Sequence, residues 1–249
     1  MSEHDAYEAL NTSAQSNVLI LCDHASNRVP EAVNGGSLGI SEADMSRHIA
    51  FDIGARETAL LIAEALQAPM LASRFSRLVI DPNRGEDDPT ILMKIYDHTI
   101  VEGNRHADAA EKARRIEAYH RPYHAAIDAA LEQITAHGET PVIISIHSYT
   151  PQLNGRPKRP WHIGVLWDED ARIPVPLMEK LSANREITVG NNEPYSGELR
   201  GDTMYFHATR NGYPHVLIEL RHDLIDTPKG QAKWAAILAK PLAEIIQTL

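Results

Sequence analysis

Cysteine is nearly missing from this chain. One residue in 249, Cys22, carries a thiol, so no internal disulfide can form and a cysteine-based zinc cluster is excluded. Cys22 closes the apolar run Val18-Leu19-Ile20-Leu21-Cys22, a strand setting that favours a buried, inert thiol over a nucleophile. Long apolar stretches are missing as well. None approaches the ~18–20 residues that span a bilayer, and the start, Met1 to Glu8, has neither a basic opening nor the apolar core of a signal peptide. A cytoplasmic protein with no membrane contact is expected. Positive charge is scarce: 24 Lys and Arg stand against 34 Asp and Glu, a formal net charge of -10. That balance argues against nucleic-acid binding, which demands a basic face. There is no Pro/Gly/Ser-rich linker and no internal repeat, so one domain over residues 1–249 is expected, with residues 1–16 a loose polar lead-in.

What the chain does have is three β-branched runs that end in chemistry. Val142-Ile143-Ile144-Ser145-Ile146-His147-Ser148 reads as a buried strand delivering a histidine to its carboxyl end, and Val18 to Cys22 does the same with Asp23 and His24. Val216-Leu217-Ile218-Glu219-Leu220-Arg221 carries a carboxylate at the equivalent place. Helical patterns lie between them. Ser41 is an N-cap for a helix running to about Leu66, residues ~104–137 read as one long helix bent near Pro122, and a last helix starts near Lys229. Further strands are expected within Met70 to Ile80, closed by Pro82, and at His162 to Trp167. Strands interleaved with helices in this order predict an α/β fold: a three-layer α/β/α sandwich, phosphorylase/hydrolase-like, around a mostly parallel, mixed sheet. The basic, proline-rich Thr150 to Arg159 reads as a rim loop without regular structure.

In such sheets, ligands collect beyond the carboxyl ends of the strands. A catalytic zinc takes three protein ligands from His and Asp/Glu and keeps a position open. Without cysteines, His24, His147 and one carboxylate are the natural set, with Glu219 placed to carry a proton. An unpaired carboxylate inside an apolar strand is costly, so Glu219 must be paired or functional. His48, Asp52 and Arg56, four apart, read either as a surface ion-pair ladder or as a set in which Asp52 turns toward the His24 loop. Arg77 and Arg84 flank Asp81 and Asn83, where they could grip a carboxylate bidentately; the plainer reading pairs Asp81 with Arg84. The pairs Tyr119/Tyr123 and His120/His124 read as packing and solvent-side residues.

Five blocks in order, Asp23-His24-Ala25-Ser26 with Pro30, Asp52-Ile53-Gly54-Ala55, Asp81-Pro82-Asn83-Arg84, Ser145-Ile146-His147-Ser148 and Ile218-Glu219-Leu220-Arg221, resemble the N-formylglutamate amidohydrolase family. The resemblance covers nearly everything after residue 17. It implies an architecture related to zinc carboxypeptidases and aspartoacylase-like deacylases. The implied activity is hydrolysis of the N-formyl or N-acyl amide of an acidic amino acid such as N-formylglutamate, with zinc or another divalent metal as cofactor. By that resemblance His24 and His147 are metal ligands and Glu219 the general base. Asn27 stands where the carboxypeptidase arrangement has a glutamate ligand, which leaves Asp52 as first choice for the third ligand and Glu31 as second. Arg84 with Arg77 would hold the substrate carboxylate, and Asn83, Arg200 and Arg221 complete the substrate-binding candidates. A deacylase of another N-acyl amino acid, and a non-catalytic small-molecule binder on the same fold, are the competing readings.

Overall fold

The computed structural model describes residues 6–249. In chain order the elements are β1 (Tyr7–Leu10), β2 (Val18–Cys22), α1 (Glu42–Met45), α2 (Ala55–Ala65), β3 (Met70–Ser73), β4 (Ile95–Tyr96), β5 (Thr99–Ile100), α3 (Glu102–Arg105) and α4 (Ala109–Arg115). A π-helical turn, Ile116–His120, leads into α5 (Arg121–Ala136). Then come β6 (Val142–Tyr149), β7 (Ile163–Leu166), α6 (Pro174–Ser182), β8 (Val189–Asn191), α7 (Thr203–His207), β9 (His215–Arg221) and α8 (Pro228–Ile246). Seven strands form one mixed sheet in the order β1-β3-β2-β6-β9-β7-β8. The four central strands β3, β2, β6 and β9 run parallel, β1 and β7 are antiparallel to their inner neighbours, and β8 runs parallel to β7.

The central strands read as continuous apolar runs because helices cover both faces of the sheet. On one face Ile20, Ile144 and Ile218 pack against Ala59 and Ile62 of α2 and Trp234 and Leu238 of α8. On the other, Leu19, Leu21, Ile143 and Leu217 pack against Tyr123, Ile127 and Leu131 of α5 and Met204 of α7. Side chains alternate along a strand, so Asp23, Ser145, His147 and Glu219 continue this second row beyond its apolar members. The apolar pattern therefore sets which face the polar residues share. Among the described residues no helix is long and apolar enough to cross a membrane.

The expected elements are present with several corrections. The loose lead-in holds a real edge strand: β1 pairs Tyr7–Leu10 against β3, while residues 1–5 of that stretch lie outside the described residues. The helix expected from Ser41 to Leu66 is two helices: α1 stops at Met45, residues 46–54 form a loop, and α2 starts afresh after Gly54 at φ 74°. His48, Asp52 and Arg56 consequently share no helix face, and the ladder reading falls. The strand in Met70 to Ile80 ends at Ser73. Residues 76–79 turn instead, with Val79 N–H donating to Ser76 O and Leu78 N–H to Ser76 Oγ. Their apolar side chains, Leu78 to Ile80, fill a separate core with Phe75 and Ile91. The long helix over 104–137 is broken into α3, α4, the π turn and α5. Strands β4, β5 and β8 were not anticipated, being only two to three residues long.

Gly54 is where the loop after α1 meets the rest of the fold. A Cβ there would lie 2.0 Å from the carbonyl oxygen of Ile225, in the turn before α8. Gly54→Ala is expected to lose about 2–4 kcal/mol of stability from left-handed strain plus backbone displacement. Gly138→Ala, also at positive φ (80°) but with nothing within 4 Å of its Cβ, isolates the strain alone, about 1–2 kcal/mol. Urea unfolding of the two variants should separate these costs; equal losses would mean that the Ile225 contact yields freely.

Candidate active site

Strand pairing sets the site's frame. β6 and β9 are neighbours in register, with His147 opposite Glu219, and Asp23 and His24 follow the end of β2 on the other side of β6. The loop before α2 folds over these ends, pinned by Asp52 N–H donating to His24 O at 2.9 Å. This places the Asp52 carboxylate between the two imidazoles. Its Oδ2 lies 3.0 Å from His147 Nδ1 and 3.4 Å from His24 Nδ1, and it accepts the Ser148 N–H at 3.1 Å. All three side chains are buried.

The far side of each ring is also held by a carboxylate. His24 Nε2–H donates to Asp81 Oδ1 at 2.7 Å, and His147 Nε2–H donates to Asp23 Oδ2 at 2.9 Å. Asp23 is fully occupied: Tyr123 and Thr203 hydroxyls donate to Oδ1, and Ser145 donates to Oδ2. Burial alone would raise its pKa, but the bond from His147 and the nearby histidine charges hold it at about 2. Asp81 accepts from Asn83 N–H and from Arg77 Nη2, and despite burial the Arg77 charge keeps its carboxyl well below the usual range. Asp52 is likewise depressed, the His24 charge outweighing burial.

This donor set fits a divalent cation. With each Nε2–H committed to a carboxylate, both Nδ1 lone pairs face the Asp52 oxygen, an arrangement of three acceptors that only a cation or added protons can hold together. With neutral rings, the three buried carboxylates Asp23, Asp52 and Asp81 and the guanidinium of Arg77 leave two negative charges, which one divalent ion balances. Ligands ~2.1 Å from a tetrahedral zinc lie about 3.4 Å apart, close to the 3.0 and 3.4 Å measured here. Among the described residues His24, Asp52 and His147 form the one group whose ligand atoms all lie within 4.8 Å of one another. Protons do the same work in the metal-free protein: against burial, the bonds to Asp23 and Asp52 raise the His147 pKa well above its ordinary value. Glu31 is exposed and Asn27 Nδ2–H donates to Met45 O, so neither joins the cluster.

A cavity of about 310 Å³ opens beside these groups, large enough for a small metabolite. Glu219 lines it with Oε2 buried and lacking a hydrogen-bond partner; burial lifts its pKa to about 7 against the pull of the His147 charge. Arg77, Asn83 and Arg84 line the cavity too, but their commitments differ. Arg77 is paired with Asp81 at 2.9 Å and reaches Asp52 at 3.5 Å, so Arg77, and not Arg84, takes the Asp81 pairing. Among the described residues Arg84 folds back only to the Asn83 carbonyl. Two histidines behind this loop set its shape: His124 Nε2–H donates to Pro82 O and His120 Nε2–H to Arg84 O, both at 2.9 Å. The π turn brings both rings to the loop, a common use of such turns, so these histidines are neither ligands nor solvent-side residues. Arg221 does not line the cavity. It donates to Asp223 and to Trp161 O, tying the rim loop to the end of β9. Arg200 is exposed on the loop before α7, outside the cavity lining. Sequence reasoning missed Asp23 and Asp81 as supports of the histidines, and missed Asp202 and Tyr195 in the cavity wall. The available signal is adjacency for Asp23, which precedes His24, and for Asp81 its place at the expected strand end between Arg77 and Arg84.

The model of the N-formylglutamate amidohydrolase family matches residues 16–226 of this chain. The crystal structure of gene product Atu2144 from Agrobacterium tumefaciens is similar at 33% identity and a TM-score of 0.91, covering 98% of this chain and 95% of that one. An N-formylglutamate amidohydrolase from Ralstonia eutropha JMP134 shares the fold at 19% identity and a TM-score of 0.68, covering 98% of both chains. No curated protein matches the sequence.

The carboxylate behind His147 generates a test. In Asp23→Asn the side-chain oxygen can still accept from His147, while the new amide can donate to the Tyr123 or Thr203 hydroxyl, so the fold is expected to survive. The lost charge should weaken zinc binding by about 10–100-fold, read by chelator competition on folded protein. Unchanged affinity would show that His147 is not held as a ligand.

Proposed function

Because the chain belongs to the N-formylglutamate amidohydrolase family and is thus a hydrolase of amide C–N bonds, we propose that it is a divalent-metal-dependent enzyme removing an N-formyl, or other small N-acyl, group from an amino acid. The observation that carries this reading is the convergence of His24 Nδ1, His147 Nδ1 and Asp52 Oδ2 beside a buried carboxyl, Glu219, whose Oε2 has no hydrogen-bond partner. A zinc ion held by those three residues would supply Lewis acidity and make water nucleophilic near neutral pH.

The chain's own residues account for the remaining tasks. Arg84, supported by Asn83, binds the α-carboxylate of the substrate by a charge-assisted pair. Asn83 is fixed for this by Thr203 N–H donating to its Oδ1. Arg77 keeps Asp52 and Asp81 ionised and in place, and its guanidinium is already engaged with both. Glu219 takes the proton of the attacking water and passes it to the leaving nitrogen. Its burial favours the neutral form, and a nearby cation draws it back toward the ionised form a base requires. The alternation that aims His147 into the cavity aims Glu219 there as well, one strand over.

Assay of N-formyl amino acids with and without chelator tests the reading: activity should vanish on chelation and return with zinc. Glu219→Gln is expected to lower turnover by ~100–10,000-fold with metal content intact. A variant that loses metal but regains full rate when zinc is resupplied would move Glu219 from base to ligand. For Arg84→Ala the Michaelis constant should rise by roughly one to two orders of magnitude. A substrate analogue with the carboxylate amidated should show little further loss in that variant. Equal losses for both substrates would mean that Arg84 acts only on the loop.

A further inference from the structure

The side-chain half of the cavity determines which amino acids fit. A dianionic substrate such as N-formylglutamate needs a cation for each carboxylate, and among the described residues the basic side chains lining this cavity, apart from the two cluster histidines His24 and His147, are Arg77, Arg84 and His48. The charge of Arg77 is balanced by Asp81 and Asp52 through its two Nη atoms, with only Nε left unpartnered. His48 is held neutral, burial taking its pKa to about 4 even with Asp97 nearby. The next guanidinium outward, Arg159, stacks over Tyr149 and Tyr195 at 5.4 and 5.0 Å and donates to Thr150 O and the Tyr195 hydroxyl. That leaves Arg84 for one carboxylate. The remaining charged groups of the wall, Asp202, Glu198 and Glu219, are of the wrong sign for a second.

The wall beside Glu219 is apolar. Leu217 lies two residues before it on the same face of β9, and its antiparallel partner across the β7 pairing is Leu166. Both line the cavity, with Leu199 and the ring of Tyr195 from the loop before α7. An unpaired carboxylate placed there is desolvated without compensation, whereas an aliphatic or aromatic side chain gains by leaving water.

Building on the amidohydrolase reading, we propose that the preferred substrates are monoanionic N-formyl or N-acyl amino acids with an apolar side chain, the α-carboxylate on Arg84 and the side chain against Leu166, Leu199 and Leu217. The acidic substrate expected from the sequence resemblance is then a poor one.

Matched N-formyl derivatives of leucine, phenylalanine, glutamine, glutamate and lysine test this on the zinc-loaded protein. Initial rates and calorimetric binding are measured in parallel. The leucine and phenylalanine compounds should exceed the glutamate one by at least about tenfold in kcat/KM and in affinity. Leu199→Arg, at an exposed position that should not disturb folding, supplies the missing cation and is expected to shift the glutamate-to-leucine ratio by about tenfold toward glutamate. Preference for glutamate or lysine in the parent overturns the proposal. Binding in the stated order without hydrolysis of any compound supports the side-chain assignment while rejecting the catalytic reading. Absence of binding by every compound rejects both.

Discussion

The structure depends on compensating charge that has been taken out of water. Asp23, Asp52 and Asp81 are each nearly inaccessible, and an isolated ionised carboxylate in such surroundings would be prohibitively costly. The cost is met by interleaving. Each histidine stands between two carboxylates, Asp52 on the inner side and Asp23 or Asp81 on the outer, and Arg77 closes the network from the side. Removing any member leaves a buried charge with too few partners, so stability and the readiness to hold a cation arise from the same contacts.

That network constrains the backbone around it. Asp52 can reach the strand ends only because the chain reverses at Gly54 with its Cα against the Ile225 carbonyl, where no side chain fits. The Pro82–Arg84 carbonyls are secured by His120, His124 and Arg84 itself, so the loop that carries Asn83 and Arg84 is bound to the π turn and α5 through side chains. At the opposite wall, Gly164 lets the Glu193 carbonyl approach to where a Cβ would sit, 2.2 Å away, beside Glu219. Tightly fixed polar groups around one cavity are what an enzyme needs if water and substrate are to meet in a set geometry.

Substrate choice belongs to a different layer of the molecule. The residues of the His24–Asp52–His147 cluster come from strand ends and the loop before α2, whereas Tyr195, Leu199 and Asp202 come from the irregular segment between β8 and α7. Loops of this kind can vary without disturbing the core. A fold shared with another protein at 19% identity therefore leaves the residues of this segment free to differ.

The sequence by itself determined the mixed α/β architecture, the strands β2, β6 and β9, and the arrival of His24, His147 and Glu219 at one edge. Those features follow from local rules: apolar runs make buried strands, alternation assigns faces, and a parallel sheet gathers its strand ends. Tertiary structure decided the rest. Whether Asp52 belonged to a surface ladder or to the site turned on the non-helical stretch 46–54 between α1 and α2, which helical spacing does not reveal. That Arg77 pairs with Asp81, that Asp23 braces His147, and that Arg221 ties down the rim are contacts between groups whose separation along the chain ranges from 4 to 124 residues. A carboxylate or guanidinium carries no periodic signature of its own; its partner is chosen by which elements the hydrophobic core brings side by side, and that choice exists only once the sheet and its helices have packed.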